Sequence, residues 1–133
     1  MEKTDNRKIY ILLIEDDLLH QELLAAGLEE YYNCNVARAR NLREAEEHLQ
    51  TIIPDLLVLD CVLDNNRFLV IEWAEKVRRR AELLKVPILF VTAYYPDMEK
   101  WVREIEGSDV LVKPFTFEDI TQKLRGLISR PRE

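Results

Sequence analysis

Three acidic residues stand directly after two apolar runs of strand length. Glu15 and Asp16 follow the run 11–14, and Asp60 follows the run 56–59. If both runs are parallel strands of one sheet, the three carboxylates meet at its carboxyl edge, where open α/β sheets bind their ligands. Carboxylates this close repel one another unless a cation compensates, and an all-oxygen set suits Mg²⁺. We therefore expect a magnesium site at this edge, with Mn²⁺ as the alternative ion.

A hydroxyl group and an amine end two further apolar runs. Thr92 follows the run 87–91, and Lys113 follows the run 110–112. A carboxylate such as Asp60 can attack phosphorus and form an acyl phosphate, because a bound metal shields the incoming charge and holds the phosphoryl group in line. The metal meets one phosphoryl oxygen, and a lysine and a hydroxyl can bind the others. The predicted chemistry is phosphoryl transfer to Asp60.

Strand-length apolar runs alternate along the chain with longer segments of helical period, as in repeated βα units. Crossovers between parallel strands are right-handed, so five such units place helices on both faces of one sheet. The predicted fold class is therefore α/β, a doubly wound parallel sheet of five strands with five helices. The second strand is predicted at 35–38. The apolar stripes of the five helices include Leu24 and Leu28; Leu42, Ala45, Leu49 and Ile52; Val70, Ala74, Val77, Ala81 and Leu84; Met98, Trp101, Val102 and Ile105; and Phe117, Ile120, Leu124 and Leu127.

Local signals predict how individual residues serve these elements. Asp17 is placed to cap the first helix. Asn41 is placed to cap the second, with Glu44 at the spacing of a capping box. Trp73 stands off the main stripe of the third helix, and we expect it to be partly exposed. We expect the run Arg78-Arg79-Arg80, near the end of that helix, to favour the helix dipole and to cover apolar surface with the stems of its side chains.

Bulk properties narrow the class of protein. The 133 residues suit one domain with one core. The formal charge of −6, from 25 acidic and 19 basic side chains, argues against general nucleic-acid binding. No apolar stretch is long enough to cross a bilayer, and the first residues lack the apolar core of a signal peptide, so we expect a cytoplasmic protein without membrane insertion. In that compartment Cys34 and Cys61 are expected to be buried thiols rather than a disulfide.

Four short motifs occur in order along the chain: Leu-Ile-Glu-Asp at 13–16, Pro-Asp-Leu-Leu-Val-Leu-Asp at 54–60, Val-Thr-Ala at 91–93 and Lys-Pro-Phe at 113–115. Together they make the chain similar to the receiver domains of two-component response regulators. The resemblance covers about residues 8–128 and implies one receiver domain over residues 1–133, with short charged tails. It also implies a flavodoxin-like strand order of 2-1-3-4-5. Its expected partner is a histidine kinase or a histidine phosphotransfer protein that phosphorylates Asp60.

The resemblance further implies a role for each site residue. Asp16, Asp60 and the backbone carbonyl of Val62 would hold the metal, and Glu15 would bind it through water. Thr92, Ala93 and Lys113 would contact the phosphoryl group and carry the switch. The peptide before Pro114 would be cis and would aim Lys113 at the phosphate. The protein would be a signalling phosphoacceptor rather than an enzyme, with only self-catalysed phosphotransfer and slow autodephosphorylation.

Some positions differ from the usual receiver pattern. The loop after Asp60 carries Asp64 and Phe68 where a proline and a glycine are usual, and Val110 replaces the usual switch aromatic. Our hypothesis is that Tyr94 or Tyr95 takes over the aromatic role, although both can equally be packing residues.

Two further positions in this family influence how easily water reaches the acyl phosphate. They are occupied by Val62 and Tyr94, and neither side chain offers a polar group that would position the attacking water. We predict that the phosphorylated state is long-lived, and that replacing Val62 with Asn speeds its decay.

Phosphorylation is then expected to shift an equilibrium between two surface states. The responding face is expected on the fourth predicted helix, the fifth strand and the fifth helix, where a downstream protein, a fused output domain or a homodimer partner would bind. The rival interpretation is a pseudo-receiver, a protein-binding module that no longer uses phosphorylation. A third interpretation is a phosphoaspartyl hydrolase. Such an enzyme requires an acid-base carboxylate two residues after the nucleophile, and Val62 at that position argues against it.

Overall fold

Strands and helices alternate along the chain in a computed structural model, which describes residues 8–60, 67–92, 100 and 102–128. The strands are β1 (Ile9–Ile14), β2 (Cys34–Ala39), β3 (Leu56–Asp60), β4 (Ile88–Thr92) and β5 (Ser108–Val112). The α-helices in these ranges are α1 (Leu18–Tyr31), α2 (Leu42–Leu49), α3 (Arg67–Arg78) and α4 (Phe117–Ile128), and a 3₁₀ turn spans Ala81–Leu83. The second strand is one residue longer at each end than predicted.

All strand pairs are parallel, and the strand order is β2-β1-β3-β4-β5. The α/β fold class and the flavodoxin-like strand order are therefore confirmed. In the register of the sheet Ile14 lies beside Leu59 and Asp60 lies beside Val91. The carboxyl ends of β1, β3 and β4 consequently lie side by side, which is the arrangement that the acidic site requires.

The core has two layers, one on each face of the sheet. Leu12 and Ile14 of β1 face the layer formed with α2 and α3, and Ile11 and Leu13 face the layer formed with α1 and α4. Strand side chains alternate between the two faces, so a strand that is covered by helices on both sides must be apolar at every position. This is why β1, β3 and β4 read as continuous apolar runs.

Four of the five predicted helices are present as α-helices within the described ranges. Two of them end before their predicted stripes do. Helix α2 ends at Leu49, before Ile52, and α3 ends at Arg78. Ala81 and Leu84 therefore lie beyond α3, and both are exposed.

Of the residues predicted on the fourth helix, Met98 and Trp101 lie outside the described ranges. Residues 100, 102 and 103 are helical, and Val102 and Ile105 are buried in the α2–α3 layer as predicted. None of the helices in the described ranges combines the length and the apolar content that crossing a bilayer demands.

The predicted helix caps are present, with one difference in detail. The Asp17 side chain accepts a hydrogen bond from the backbone N–H of His20 at 3.1 Å. Asn41 Oδ1 accepts one from the N–H of Glu44 at 2.8 Å. In an ideal capping box the Glu44 carboxylate would accept the backbone N–H of the N-cap residue, Asn41. Here it accepts the N–H of Arg40, one residue earlier, and it also binds the Arg40 guanidinium. The ion pair with Arg40 accounts for the shift.

The prediction that Trp73 is partly exposed is wrong. Trp73 is only 8% exposed and belongs to the α2–α3 core layer. Its indole N–H donates to Glu46 Oε2 at 2.7 Å, and the same carboxylate oxygen binds the Arg80 guanidinium. Because a buried indole N–H needs an acceptor, Glu46 on the neighbouring helix is what permits this burial.

The Arg78 guanidinium binds the backbone that follows α3. It donates to the carbonyl oxygens of Leu83, Leu84 and Val86 at 2.6–2.8 Å. Arg78 therefore holds the connection between α3 and β4 in place, a more specific role than the predicted interaction with the helix dipole.

Cys34 is a buried free thiol, as expected. It donates to the carbonyl of Leu28 at 3.4 Å, and burial raises its pKa to about 11. Cys61 lies outside the described residues.

Candidate functional site

The carboxyl edge of the sheet gathers three carboxylates into one cluster. Glu15, Asp16 and Asp60 each offer a carboxylate oxygen, and these oxygens lie within 4.8 Å of one another. Two of the residues come from the end of β1 and one from the end of β3, so the parallel register creates the cluster. Its donor set consists entirely of oxygen atoms, which hard divalent cations prefer as ligands, so the cluster is able to hold such an ion.

Burial differs sharply within the cluster. Asp60 is 4% exposed and Glu15 is 6% exposed, whereas Asp16 is open to solvent. A cation entering from solvent therefore meets one exposed carboxylate first and two buried ones behind it. Desolvated anions bind a cation more strongly than hydrated ones do, because the surrounding dielectric constant is lower.

Glu15 carries the clearest electrostatic signature of the site. Its pKa is raised from 4.5 to about 7, mainly because burial disfavours the charged form, and further because it bonds to and is repelled by Asp60. Two contacts oppose this rise: the N–H of Asp17, which donates to Glu15 Oε2 at 3.1 Å, and the positive charge of Lys113. Below about pH 7 the Glu15 carboxyl of the metal-free cluster is therefore mostly protonated.

We expect the metal-free protein to lose stability as the pH rises from about 5 to about 7 through Glu15. The pKa in the folded state lies above the ordinary value, so the folded chain keeps this proton while the unfolded chain has released it. One such proton changes the free energy of unfolding by up to about 1.4 kcal/mol per pH unit. Urea unfolding in EDTA at several pH values measures the slope, and Glu15→Gln should flatten it. An equal slope in Glu15→Gln would show that other groups cause the effect.

A cation and a hydroxyl group complete the edge. Lys113 Nζ lies 3.8 Å from Asp60 Oδ1, and its side chain is 34% exposed. The backbone N–H of Lys113 donates to the carbonyl of Thr92 at 2.7 Å, and the Lys113–Pro114 peptide is cis. Thr92 is fully buried at the end of β4. The structure thus brings together Glu15, Asp16, Asp60, Thr92 and Lys113.

Val62, Ala93, Tyr94 and Tyr95 lie outside the described residues, as does the loop 63–66. Val110, which stands where an aromatic was expected, is half-buried against the α2–α3 core layer.

Sequence reasoning missed Gln21, whose side-chain amide lies beside the cluster. Gln21 is 4% exposed, and its Nε2 donates to the carbonyl oxygens of Glu15 and Ala39 at 3.1 and 3.0 Å. A signal for it existed, because Gln21, Ala25 and Leu28 have the i, i+4, i+7 spacing of one helix face. A polar residue on an otherwise buried face needs hydrogen-bond partners, and here the partners are backbone carbonyls.

Comparisons with known proteins agree with this geometry. The family model described as the response regulator receiver domain matches residues 11–125. The transcriptional regulatory protein TrcR of Mycobacterium tuberculosis is 31% identical over 130 residues, which cover 96% of this chain and 48% of that protein. This chain thus spans about half the length of the curated relatives that it matches.

Solved structures share the fold. A putative response regulator from Chloroflexus aurantiacus aligns with a TM-score of 0.83 at 24% identity, over 93% of this chain and 100% of that one. The receiver domain of the sensor histidine kinase PA1611 from Pseudomonas aeruginosa, solved with a magnesium ion coordinated in its active site cleft, aligns with a TM-score of 0.78 at 23% identity over 93% of this chain and 100% of that one.

Proposed function

Since this chain belongs to the receiver domain family of response regulators, we propose that it is the phosphoacceptor of a two-component phosphorelay and that Asp60 receives the phosphoryl group. The observation that carries this proposal is the placement of the buried Asp60 carboxylate between two other carboxylates and the Lys113 amine. A domain that served only as a binding surface would gain nothing from burying mutually repelling acids at one point.

The resident cation in this proposal is Mg²⁺, with Mn²⁺ as the substitute. Asp16, Asp60 and the backbone carbonyl of Val62 would hold it, and Glu15 would bind it through water. The spacing of the three carboxylates suits a hard divalent ion. The magnesium ion in the PA1611 receiver domain supports this choice by analogy. When bound, the ion would offset the charge that accumulates as a phosphoryl group approaches the carboxylates.

The phosphoryl donor in this proposal is a phosphohistidine of a histidine kinase or a phosphotransfer protein. An Asp60 carboxylate oxygen forms the new bond to phosphorus while the bond between phosphorus and the imidazole nitrogen breaks. The departing imidazole keeps the electron pair of that bond and takes up a proton. Lys113, already 3.8 Å from Asp60, is placed to bind a phosphoryl oxygen, and the Thr92 hydroxyl at the neighbouring strand end is the candidate for another.

The donor protein needs a surface on which to dock, and apolar side chains lie next to the site. A cavity of about 440 Å³ opens between α1 and the β5–α4 connection, and it is lined by Glu15, His20, Leu23, Leu24, Val91, Lys113, Pro114, Phe115 and Phe117. Leu18, Leu19 and Leu23 on α1 are more than half exposed. Exposed apolar patches of this kind mark sites of protein association. We place the docking surface of the phosphodonor protein here.

Replacing both Leu19 and Leu23 with Ser is expected to slow phosphotransfer from a donor protein by about tenfold or more, because burying one leucine side chain in an interface is worth roughly 1.5 kcal/mol or more. Phosphorylation by a small-molecule phosphodonor should keep its rate. The rate of transfer is measured with a phosphorylated donor protein that is known to phosphorylate the unaltered chain. Leu84→Ser, which removes an equally exposed leucine beyond the end of α3, is the matched control. Equal slowing with both kinds of donor would contradict the docking surface.

The remaining elements of the proposal concern the whole protein. The relatives are about twice as long as this chain, so the readout of phosphorylation would pass either to a fused output domain or to a separate downstream protein. We further propose a cytoplasmic location, one receiver domain over residues 1–133 with a core of about 8–128, and a homodimer surface on β5, α4 and the helical residues before β5.

The alternative is a pseudo-receiver that binds partners without phosphorylation, and the valine at position 110 in place of a switch aromatic favours it. The test is intact-mass analysis after incubation with a small-molecule phosphodonor, in Mg²⁺ and in EDTA. One added phosphoryl group that appears only with Mg²⁺ supports the phosphoacceptor. No adduct under either condition, together with no Mg²⁺ binding, supports the pseudo-receiver.

A further inference from the structure

The Gln21 side chain connects the first helix to the backbone that carries two of the three carboxylates. Its amide nitrogen donates one hydrogen bond to the carbonyl of Glu15 and another to the carbonyl of Ala39, the last residue of β2. Both bonds are buried, and both are within ordinary hydrogen-bond length. The Ala39 carbonyl also accepts the backbone N–H of Glu15 at 2.9 Å. The Gln21 amide therefore links the carboxyl ends of β1 and β2 by hydrogen bonds.

These bonds hold Glu15 on both sides of its Cα and at its side chain, and the bond from Gln21 holds the peptide between Glu15 and Asp16. The N–H of Glu15 is held by Ala39, its carbonyl is held by Gln21, and its carboxylate accepts the N–H of Asp17. The directions of the Glu15 and Asp16 side chains follow from this backbone. The exposed Asp16 lies just beyond the last strand hydrogen bonds, so its position depends on how firmly that peptide is held.

We propose that Gln21 is a positioning residue for the metal-binding carboxylates, an inference that rests on the proposed function of the site. Gln21 acts through the backbone of Glu15 and does not itself bind the ion. Residues behind the direct ligands of a metal commonly set its affinity, because they hold those ligands in the geometry that the ion requires.

The chemistry of the amide suits this task. The two acceptors are backbone carbonyls, so the side chain between them must carry two N–H donors, and an uncharged amide supplies both. An aliphatic side chain of the same length would leave two buried carbonyls without this donor. An ionised carboxylate would place more negative charge beside a site that already holds three acids.

The test is the Mg²⁺ dissociation constant of Gln21→Met, measured by isothermal titration calorimetry with Mg²⁺ alone. Arg78→Met is the matched control, since it also removes a side chain that donates to main-chain carbonyls, but at the other end of the sheet. Urea unfolding establishes how much each substitution destabilises the fold. If Gln21→Met does not fold, Gln21→Ser, which leaves room for a water between the two carbonyls, takes its place with the same expectations.

We expect Gln21→Met to bind Mg²⁺ about tenfold more weakly than the unaltered chain, at the low end of the range for such supporting residues. Saturating Mg²⁺ should restore its rate of phosphorylation by a small-molecule phosphodonor, because Asp60 is untouched. The Arg78→Met protein should keep its Mg²⁺ affinity despite a lower stability.

Two results overturn this inference. Unchanged Mg²⁺ affinity in a destabilised Gln21→Met would show that the residue only supports the fold. An equal loss of affinity in Arg78→Met would show that any destabilisation weakens the site. If the unaltered chain itself binds no Mg²⁺, the proposed function fails and this inference fails with it.

Discussion

Replacing Asp60 with Asn is expected to remove the phosphoryl adduct, lowering the rate of phosphorylation by roughly a factor of 1,000 or more, as when a nucleophile is deleted. The amide keeps the shape of the side chain but has neither the charge nor the nucleophilic oxygen that attacks phosphorus. Asp60 is 4% exposed and its neighbours are acidic, so removing one negative charge should also make the metal-free protein more stable. Intact mass and urea unfolding measure the two effects.

Asp55→Asn is the matched control for this experiment. Asp55 lies directly before the amino end of β3, whereas Asp60 ends the strand. Asp55 Oδ2 accepts the N–H of Tyr10 at 2.8 Å, and an amide oxygen can accept the same bond. The Asp55→Asn protein should be phosphorylated at the rate of the unaltered chain. Phosphorylation that persists in Asp60→Asn would move the acceptor to another residue and would contradict the proposed chemistry.

Replacing Lys113 with Met is expected to change two properties of the site in opposite directions. Phosphorylation by a small-molecule phosphodonor should slow by roughly 100-fold, because a preorganised positive group near the transferred oxygens is lost. Mg²⁺ should bind several-fold more tightly, because a positive charge 3.8 Å from Asp60 no longer repels the ion. Few substitutions tighten metal binding and slow the chemistry at once, so the pair of results is diagnostic.

Calorimetry with Mg²⁺ and a time course of the intact mass measure both effects in Lys113→Met. Lys123→Met removes a lysine of similar exposure that pairs with Asp109 at 3.3 Å on the β5–α4 face, and it should leave both values unchanged. A Lys113→Met protein that is phosphorylated at the normal rate would show that the lysine serves only to neutralise the apo cluster.

The features that could be predicted from the sequence are those that arise from neighbouring residues or from a periodic pattern. A strand covered on both faces has to be apolar throughout, so β1, β3 and β4 were visible as unbroken runs. The acids at the ends of β1 and β3 predicted the site. Helix caps involve partners three residues away, so Asp17 and Asn41 were also predictable. The strand order itself came from the resemblance to receiver domains.

Roles that depend on a distant partner could not be predicted. Trp73 is buried because Glu46, on another helix, accepts its N–H. Arg78 binds carbonyls of a connection whose path no periodicity reveals. Gln21 occupies a buried helix position with a polar side chain, a visible anomaly, but its acceptors lie at the ends of two strands. In each case the tertiary fold supplies the hydrogen-bond partner.

The most direct test of the account is to locate the phosphoryl group on the unaltered chain. After loading with a small-molecule phosphodonor and Mg²⁺, borohydride reduces an aspartyl phosphate to homoserine, and tandem mass spectrometry of the peptides identifies the converted residue. We expect homoserine at position 60, and no conversion in EDTA. Conversion at a different carboxylate, or a phosphorylated chain in which residue 60 is still aspartate, would contradict it.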